Sequence, residues 1–150
     1  IEQVRGQGQS GRHAFFVQLL GHTYLNLGDL ETAESLFKAA IQAAEAGHYL
    51  QIKANALVGL GRMKAQRGDL VKAVEDCQSA IALLDEVGAH GDLATAYLQY
   101  ALTLATWPDQ AAEAENFLYK ALELFQAIPA PQQVARAQKA WQKRRSPVSI

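Results

Sequence analysis

The sequence predicts an all-α protein built as a short solenoid, three helical hairpins in a row closed by a capping helix. Three observations carry this. The skeleton Leu20-Gly21-His22-Thr23-Tyr24 with Ala33 and Phe37 returns forty residues later as Leu60-Gly61 with Ala73 and Cys77, and again as Tyr100-Ala101 with Ala114 and Leu118. A fixed period of this size means one supersecondary unit stacked on copies of itself. The turns repeat too: Gly28-Asp29-Leu30, Gly68-Asp69-Leu70, then Trp107-Pro108-Asp109-Gln110. Finally, hydrophobic residues make up 49% of the chain and are rich in Ala and Leu, strong helix formers, with few Val and Ile.

Residues 1–12 hold three glycines and no apolar period, which reads as a linker or lead-in. From His13 to Leu27 the set Phe16, Val17, Leu20, Tyr24, Leu27 recurs at three- and four-residue steps, the mark of an amphipathic helix. Gly28 stops it, and Asp29 is placed to cap the next helix with its carboxylate. Leu30 to Ala46 is the partner helix, ended by Gly47; at 1.5 Å per residue it is about 25 Å long. Residues 49–67 and 70–87 repeat the pair, split again by Gly-Asp and closed by Gly88. Asp92 reads as the N-cap of 93–106, and Pro108-Asp109 restarts the chain for 110–127. Pro129 and Pro131 break it before a last helix over about 132–144 that carries Trp141. The repeats thus fall at about 13–47, 49–88 and 92–127, in one domain over 13–145.

Small residues recur where the helices of a hairpin cross: Gly21 against Ala33, Gly61 against Ala73, Ala101 against Ala114. Large ones (Leu20, Tyr24, Phe37, Leu60, Tyr100, Leu118) are expected to fill the space between hairpins. Each hairpin leaves apolar surface open until another covers it, so the tail helix with Trp141 reads as the cap.

Composition bounds the function. No apolar run approaches the roughly 20 residues that span a bilayer, so no membrane role is expected. One cysteine excludes an internal disulfide and suits a reducing, cytoplasmic setting. The net charge of −1 hides an asymmetry: from Arg136 onward there are five basic residues and no acidic one, and residues 1–135 carry a balance of −6. That tail reads as a solvated last helix suited to the negative dipole end. Its few aromatics argue against direct nucleic-acid binding.

At these residues the chain resembles a tetratricopeptide repeat protein, whose pattern runs W-x2-L-G-x2-Y, then A-x3-F, then a proline near the repeat end. The first unit reads Val17-x2-Leu20-Gly21-x2-Tyr24 with Ala33-x3-Phe37; the second, Leu57-x2-Leu60-Gly61-x2-Lys64 with Ala73-x3-Cys77. The third reads Tyr97-x2-Tyr100-Ala101-x2-Leu104 with Ala114-x3-Leu118, after one inserted residue. The period is near 40 instead of 34, and repeats one and two lack the closing proline. Such long units are similar to those of bacterial signal-transduction proteins, among them LuxR-type transcriptional regulators, ATPase-linked regulators and cyclases. The stretch from Ala121 to Phe125 and on to Trp141 is similar to the C-terminal close of that group.

The resemblance implies a right-handed superhelix whose concave groove, lined by the first helix of each pair, binds a protein or peptide partner. Carried onto this chain, the groove residues are Gln18, His22 and Asn26 from the first repeat, with Phe15 and Leu19 beside them. Asn55, Arg62 and Gln66 come from the second and Gln99 from the third; Arg136, Lys139 and Lys143 are a candidate basic contact. Amides and a cation among apolar side chains suit an extended backbone with alternating anchors. The clamp by which chaperone-binding members hold a C-terminal carboxylate is absent, since its places read Gln18, His22, Gly59, Thr95 and Gln99.

No catalytic or cofactor chemistry is legible. Gly6-x-Gly8-x-x-Gly11 matches the dinucleotide fingerprint by letter, but five residues cannot supply the strand that must precede it. The four histidines show no ligand spacing, so no metal is expected. Asp76 and Asp85-Glu86 read as late-helix surface acids, and Cys77, at the position of Phe37, as a buried, inert thiol. The expected role is protein–protein interaction, without enzyme activity or cofactor, as the C-terminal region of a larger bacterial regulatory or signalling protein. The Ile1 start favours a piece of something longer, whose other domains are then candidate partners. The alternatives are a stand-alone adaptor or scaffold, and a self-association module in which the groove binds another copy.

Overall fold

Two residues set each hairpin turn in the first half of the chain. Gly28 and Gly68 enter the left-handed region at φ 87° and 85°. The aspartate that follows then caps the next helix: Asp29 Oδ1 accepts from the Thr32 N–H and Asp69 Oδ1 from the Lys72 N–H, each at 3.2 Å. The structure, a computed structural model, describes residues 2–127 and 131–145, with side chains placed over 11–127 and 132–143. Among the described residues there are seven α-helices and no strand: α1 (Glu2–Leu27), α2 (Leu30–Gly47), α3 (Leu50–Gln66), α4 (Leu70–Val87), α5 (His90–Leu104), α6 (Ala111–Ala127) and α7 (Pro131–Arg145). The fold is all-α, of the helical-repeat kind that the period predicts.

The chain divides into two compact units, Ile1–Ala89 and His90–Ile150. In the first, α1 pairs with α2 and α3 with α4, and α3 docks on both helices of the first hairpin. Its core joins Leu25, Ala33, Phe37 and Ala40 to Ala56, Leu60 and Met63, with Val17, Tyr24, Leu30 and Ile41 packed against them. In the second, α5 pairs with α6, and α7 packs on both. There Phe117 meets the rings of Tyr97 and Tyr100 at centroid distances of 5.8 and 4.6 Å, with Lys120 Nζ 4.6 Å from its own centroid.

The period is visible in burial. The second helices bury Ala33, Phe37, Ala40, Ala44, then Ala73, Cys77, Ala80, Leu84, then Ala114, Leu118, Ala121, Phe125. The first helices bury Ala14, Ala54 and Ala94, one period apart. Ala137 and Trp141 of α7 are buried as well, as a capping helix requires.

Several expectations are corrected. The stretch expected as a lead-in over 1–12 is helical from Glu2. Once a helix is nucleated, extending it costs little, and at Gly11 it gains a partner, because a Cβ there would sit 3.1 Å from Tyr49 Cζ. The turn after α2 is made by His48 and not Gly47: His48 takes φ 59°, the role that Gly88 plays at 71° one period later. Asp92 lies inside the first turn of α5, which starts at His90, so it complements the helix dipole there instead of capping. The Gly6–Gly11 fingerprint lies within α1, with no strand before it among the described residues. Leu20 is half exposed and does not fill a space between hairpins. The nearest atoms to Gly21 are those of the Phe37 ring, while Gly61 does face α4 near the Ala73 carbonyl and Cys77 Sγ. Pro129 lies outside the described residues.

Candidate functional site

The sequence-derived groove residues of α1 and α3 divide by depth. Gln18 is buried, at the position held by Val58 and Leu98 one and two periods on, so it is an amide in an apolar place. His22, Asn55 and Arg62 are partly buried, and Asn26 and Gln66 are exposed. Gln99 belongs to α5, in the second unit, where it is partly buried and its carbonyl accepts from Thr103 Oγ1 at 2.8 Å. Arg136, Lys139 and Lys143 are exposed on α7.

His22 is the centre of the first-unit cluster. Its ring stands edge-on to Phe37 of α2, with centroids 4.9 Å apart and planes at 72°. It also shares a hydrogen bond with the Asn55 backbone of α3. Burial and the charge of Arg62 push its pKa down to about 4, the hydrogen bond opposing them, so at neutral pH the imidazole is uncharged. A neutral ring offers one donor and one acceptor nitrogen.

Burial also pulls the Arg62 guanidinium below its usual pKa, against the opposing effect of Cys77. Among the described residues no carboxylate is paired with it. The neighbouring cations are paired: Lys64 Nζ lies 2.6 Å from Asp76 Oδ2, Arg67 3.3 Å from Glu34 Oε2 and Lys53 3.2 Å from Glu45 Oε1. Beneath Arg62, Cys77 is almost fully buried, and burial and Asp76 push its thiol up to about 12, against the effect of Arg62. The thiol is inert.

Sequence reasoning missed one pair here. Asp76 is a largely buried partner of Lys64 and not a surface acid. The signal was present: Lys64 and Asp76 occupy the positions of Tyr24 and Leu36 in the first repeat, and an apolar pair changing together into opposite charges marks a contact. No cluster of three metal-ligating side chains occurs among the described residues, and no helix there is long and apolar enough to cross a membrane. A separate cleft of about 480 Å³ is lined by His48–Ile52 and by Val87, Gly88 and Ala89, with no carboxylate in its wall.

The cluster sets a half-buried cation, a neutral imidazole and amides on two adjacent helices, groups that can pair with a carboxylate and with peptide N–H and C=O groups. No curated protein matches the chain closely enough to count as a relative. Two family models do match, both described as tetratricopeptide repeat, one over residues 52–127 and the other over 17–46. These spans begin and end close to the hairpins, and the first covers half the chain. Proteins built from such repeats generally mediate protein–protein interaction through a non-catalytic helical scaffold. The chain belongs to the tetratricopeptide repeat family.

Proposed function

We propose that this chain is a protein–protein interaction module that holds an extended segment of a partner along α1 and α3, with Arg62 receiving a carboxylate from it. One observation carries the reading: a guanidinium half withdrawn from water with no carboxylate, among the described residues, to offset the loss of hydration. Arginine binds carboxylates bidentately, and a partner supplying one recovers that loss. Asn26, Asn55 and Gln66 then serve the partner's backbone, and neutral His22 adds one more polar contact without repelling a cation. In the second unit, taken by itself, Gln99 and the basic residues Arg136, Lys139 and Lys143 are the candidate partner contacts. The module is a non-catalytic part of a larger bacterial regulatory or signalling protein in the cytoplasm, a reading supported by the long repeat and by the single, buried thiol.

The test is selection of peptides from a displayed random library on the 150-residue chain. Acidic peptides are expected to enrich, and Arg62→Ala is expected to weaken the best of them about 30-fold, as for a truncated hot-spot arginine. The melting temperature of that variant should hold or rise, since an unpaired, partly desolvated charge has been removed. Selection of peptides without a common acidic position, or equal affinity for both proteins, refutes the role given to Arg62.

A further inference from the structure

Gln18 is a polar side chain in a place that the other repeats keep apolar. It is 5% exposed, and one and two periods on the position is held by the buried Val58 and Leu98. A buried amide is ordinarily hydrogen-bonded, because leaving it unpaired forfeits the bonds that water gave it. Gln18 makes no side-chain hydrogen bond among the described residues, yet neither of its amide atoms is sealed from solvent.

Its place on the helix accounts for the opening. At 100° per residue Gln18 stands at the edge of the buried stripe of Ala14, Gly21 and Leu25, about 40° from the half-buried His22. The amide therefore lies at the border between the core and the groove side of α1. His22, one turn on, is also uncharged. The hydrogen bond to the Asn55 backbone favours its protonated form, so the ring N–H donates there, to the carbonyl. The other ring nitrogen is left as an acceptor.

α1 thus offers an amide and an acceptor nitrogen, neither charged, where α3 offers Val58 and the Arg62 cation at the same two places. A charged partner side chain finds no counter-charge on the α1 side. A peptide group fits it, since one donor and one acceptor are the complement of a primary amide. The spacing agrees. Four residues of helix rise about 6 Å, and in an extended chain the N–H and C=O on one edge recur every second residue, roughly 6.6 Å apart.

We infer that Gln18 sets the register of the bound segment: its amide exchanges two hydrogen bonds with the N–H and C=O of one residue, and His22 accepts from the N–H two residues on. This rests on the reading above that an extended partner segment lies along α1 and α3. It adds a backbone grip indifferent to the partner's side chains beside an acid site that is not.

The test takes the tightest peptide selected from the displayed library on the wild-type chain, resynthesised with one backbone N-methyl group at each position in turn, and measures affinity by calorimetry. Two N-methyl positions, two residues apart, should each weaken wild-type binding about ten-fold, the worth of one hydrogen bond, and the position between them should not. Gln18→Val and Gln18→Leu should bind the unmethylated peptide about ten-fold more weakly and melt no lower than wild type. In both variants one of the two N-methyl penalties should vanish and the other persist. Full affinity in both variants, a scan without the two-residue spacing, penalties that both persist, or a lower melting temperature in both variants overturns the inference. Arg62→Ala separates it from the acid reading: if that variant keeps full affinity while an N-methyl penalty still depends on Gln18, the acid site fails and the register role stands. A library that yields no binder overturns both.

Discussion

Phe37 is the side chain on which the first unit is assembled, and its setting makes a quantitative test of the repeat register. The ring is fully buried, with His22 edge-on to it. A Cβ on Gly21 of α1 would lie 2.7 Å from its Cε1, and one on Gly59 of α3 would collide with its Cζ. Two helices thus approach one ring through positions that have no side chain. In Gly59→Ala the methyl has to displace a ring with no open side, and a collision with three ring atoms puts the overpacking cost in the upper part of the usual range, about 2–3 kcal/mol. The better helix propensity of alanine returns about 1 kcal/mol, so a net loss of roughly 1–2 kcal/mol is expected. Gly91, in the first turn of α5, has open space where its Cβ would be. Gly91→Ala should therefore show the propensity gain alone. The assay is urea unfolding followed by far-ultraviolet circular dichroism on four chains: wild type, Gly59→Ala, Phe37→Leu and the double variant. Phe37→Leu opens room for the methyl, so the double variant should lose at least 1 kcal/mol less than the sum of the singles. Additivity within about 0.5 kcal/mol, the behaviour of non-contacting sites, or a Gly59→Ala chain as stable as wild type, would refute the packing.

His22 makes stability sensitive to acid. Its pKa is about 4 when folded and 6.5 when free, so below pH 6.5 the unfolded chain binds a proton that the folded chain refuses. The stability it protects is complete above pH 6.5 and falls as pH drops toward 4, by up to roughly 3 kcal/mol. Urea midpoints at pH 7.5 and 4.5 should differ less in His22→Gln than in wild type; equal shifts in both would sink the idea. At the α2–α3 turn, His48→Gly should raise the melting temperature by a few degrees, because a left-handed non-glycine residue costs about 1–2 kcal/mol, only part of which the freer unfolded glycine takes back. An unchanged or lower melting temperature would mean that the imidazole contributes more than its backbone strain costs.

What was legible in the sequence is what repeats locally. The Gly-Asp turns state both the left-handed residue and the cap in adjacent letters, and Ala33, Ala73 and Ala114 mark the buried stripe of each second helix with no knowledge of the partner. Where one letter departs from the pattern, the local signal fails. At Gly47-His48 the glycine falls one place early, and the turn geometry selects the position and not the residue, so histidine is strained. The register of buried alanines was readable because a small side chain at a helix crossing has one explanation. Leu20 and Leu60 show the opposite case: the same residue at the same repeat position is half exposed in one hairpin and buried in the other, since its burial depends on whether a helix lies against it.

The candidate site was legible in its residues and not in its energetics. Placing Gln18, His22, Asn55 and Arg62 on first helices needs only the period. Knowing that His22 is neutral needs the distance to Phe37, the hydrogen bond to the Asn55 backbone and the depth of Arg62, and each of these crosses between helices. The same depth distinguishes Arg62 from Lys64, two positions later on α3. Lys64 has Asp76 Oδ2 at 2.6 Å as its ion-pair partner, and replacing either member would leave an unpaired, largely buried charge. Arg62 has lost hydration and, among the described residues, has gained no carboxylate, so under the proposed reading a partner's carboxylate would improve its environment. A charge held in that state does not add to the stability of the free chain. Its position on the α1–α3 face is explained if the missing carboxylate arrives from outside.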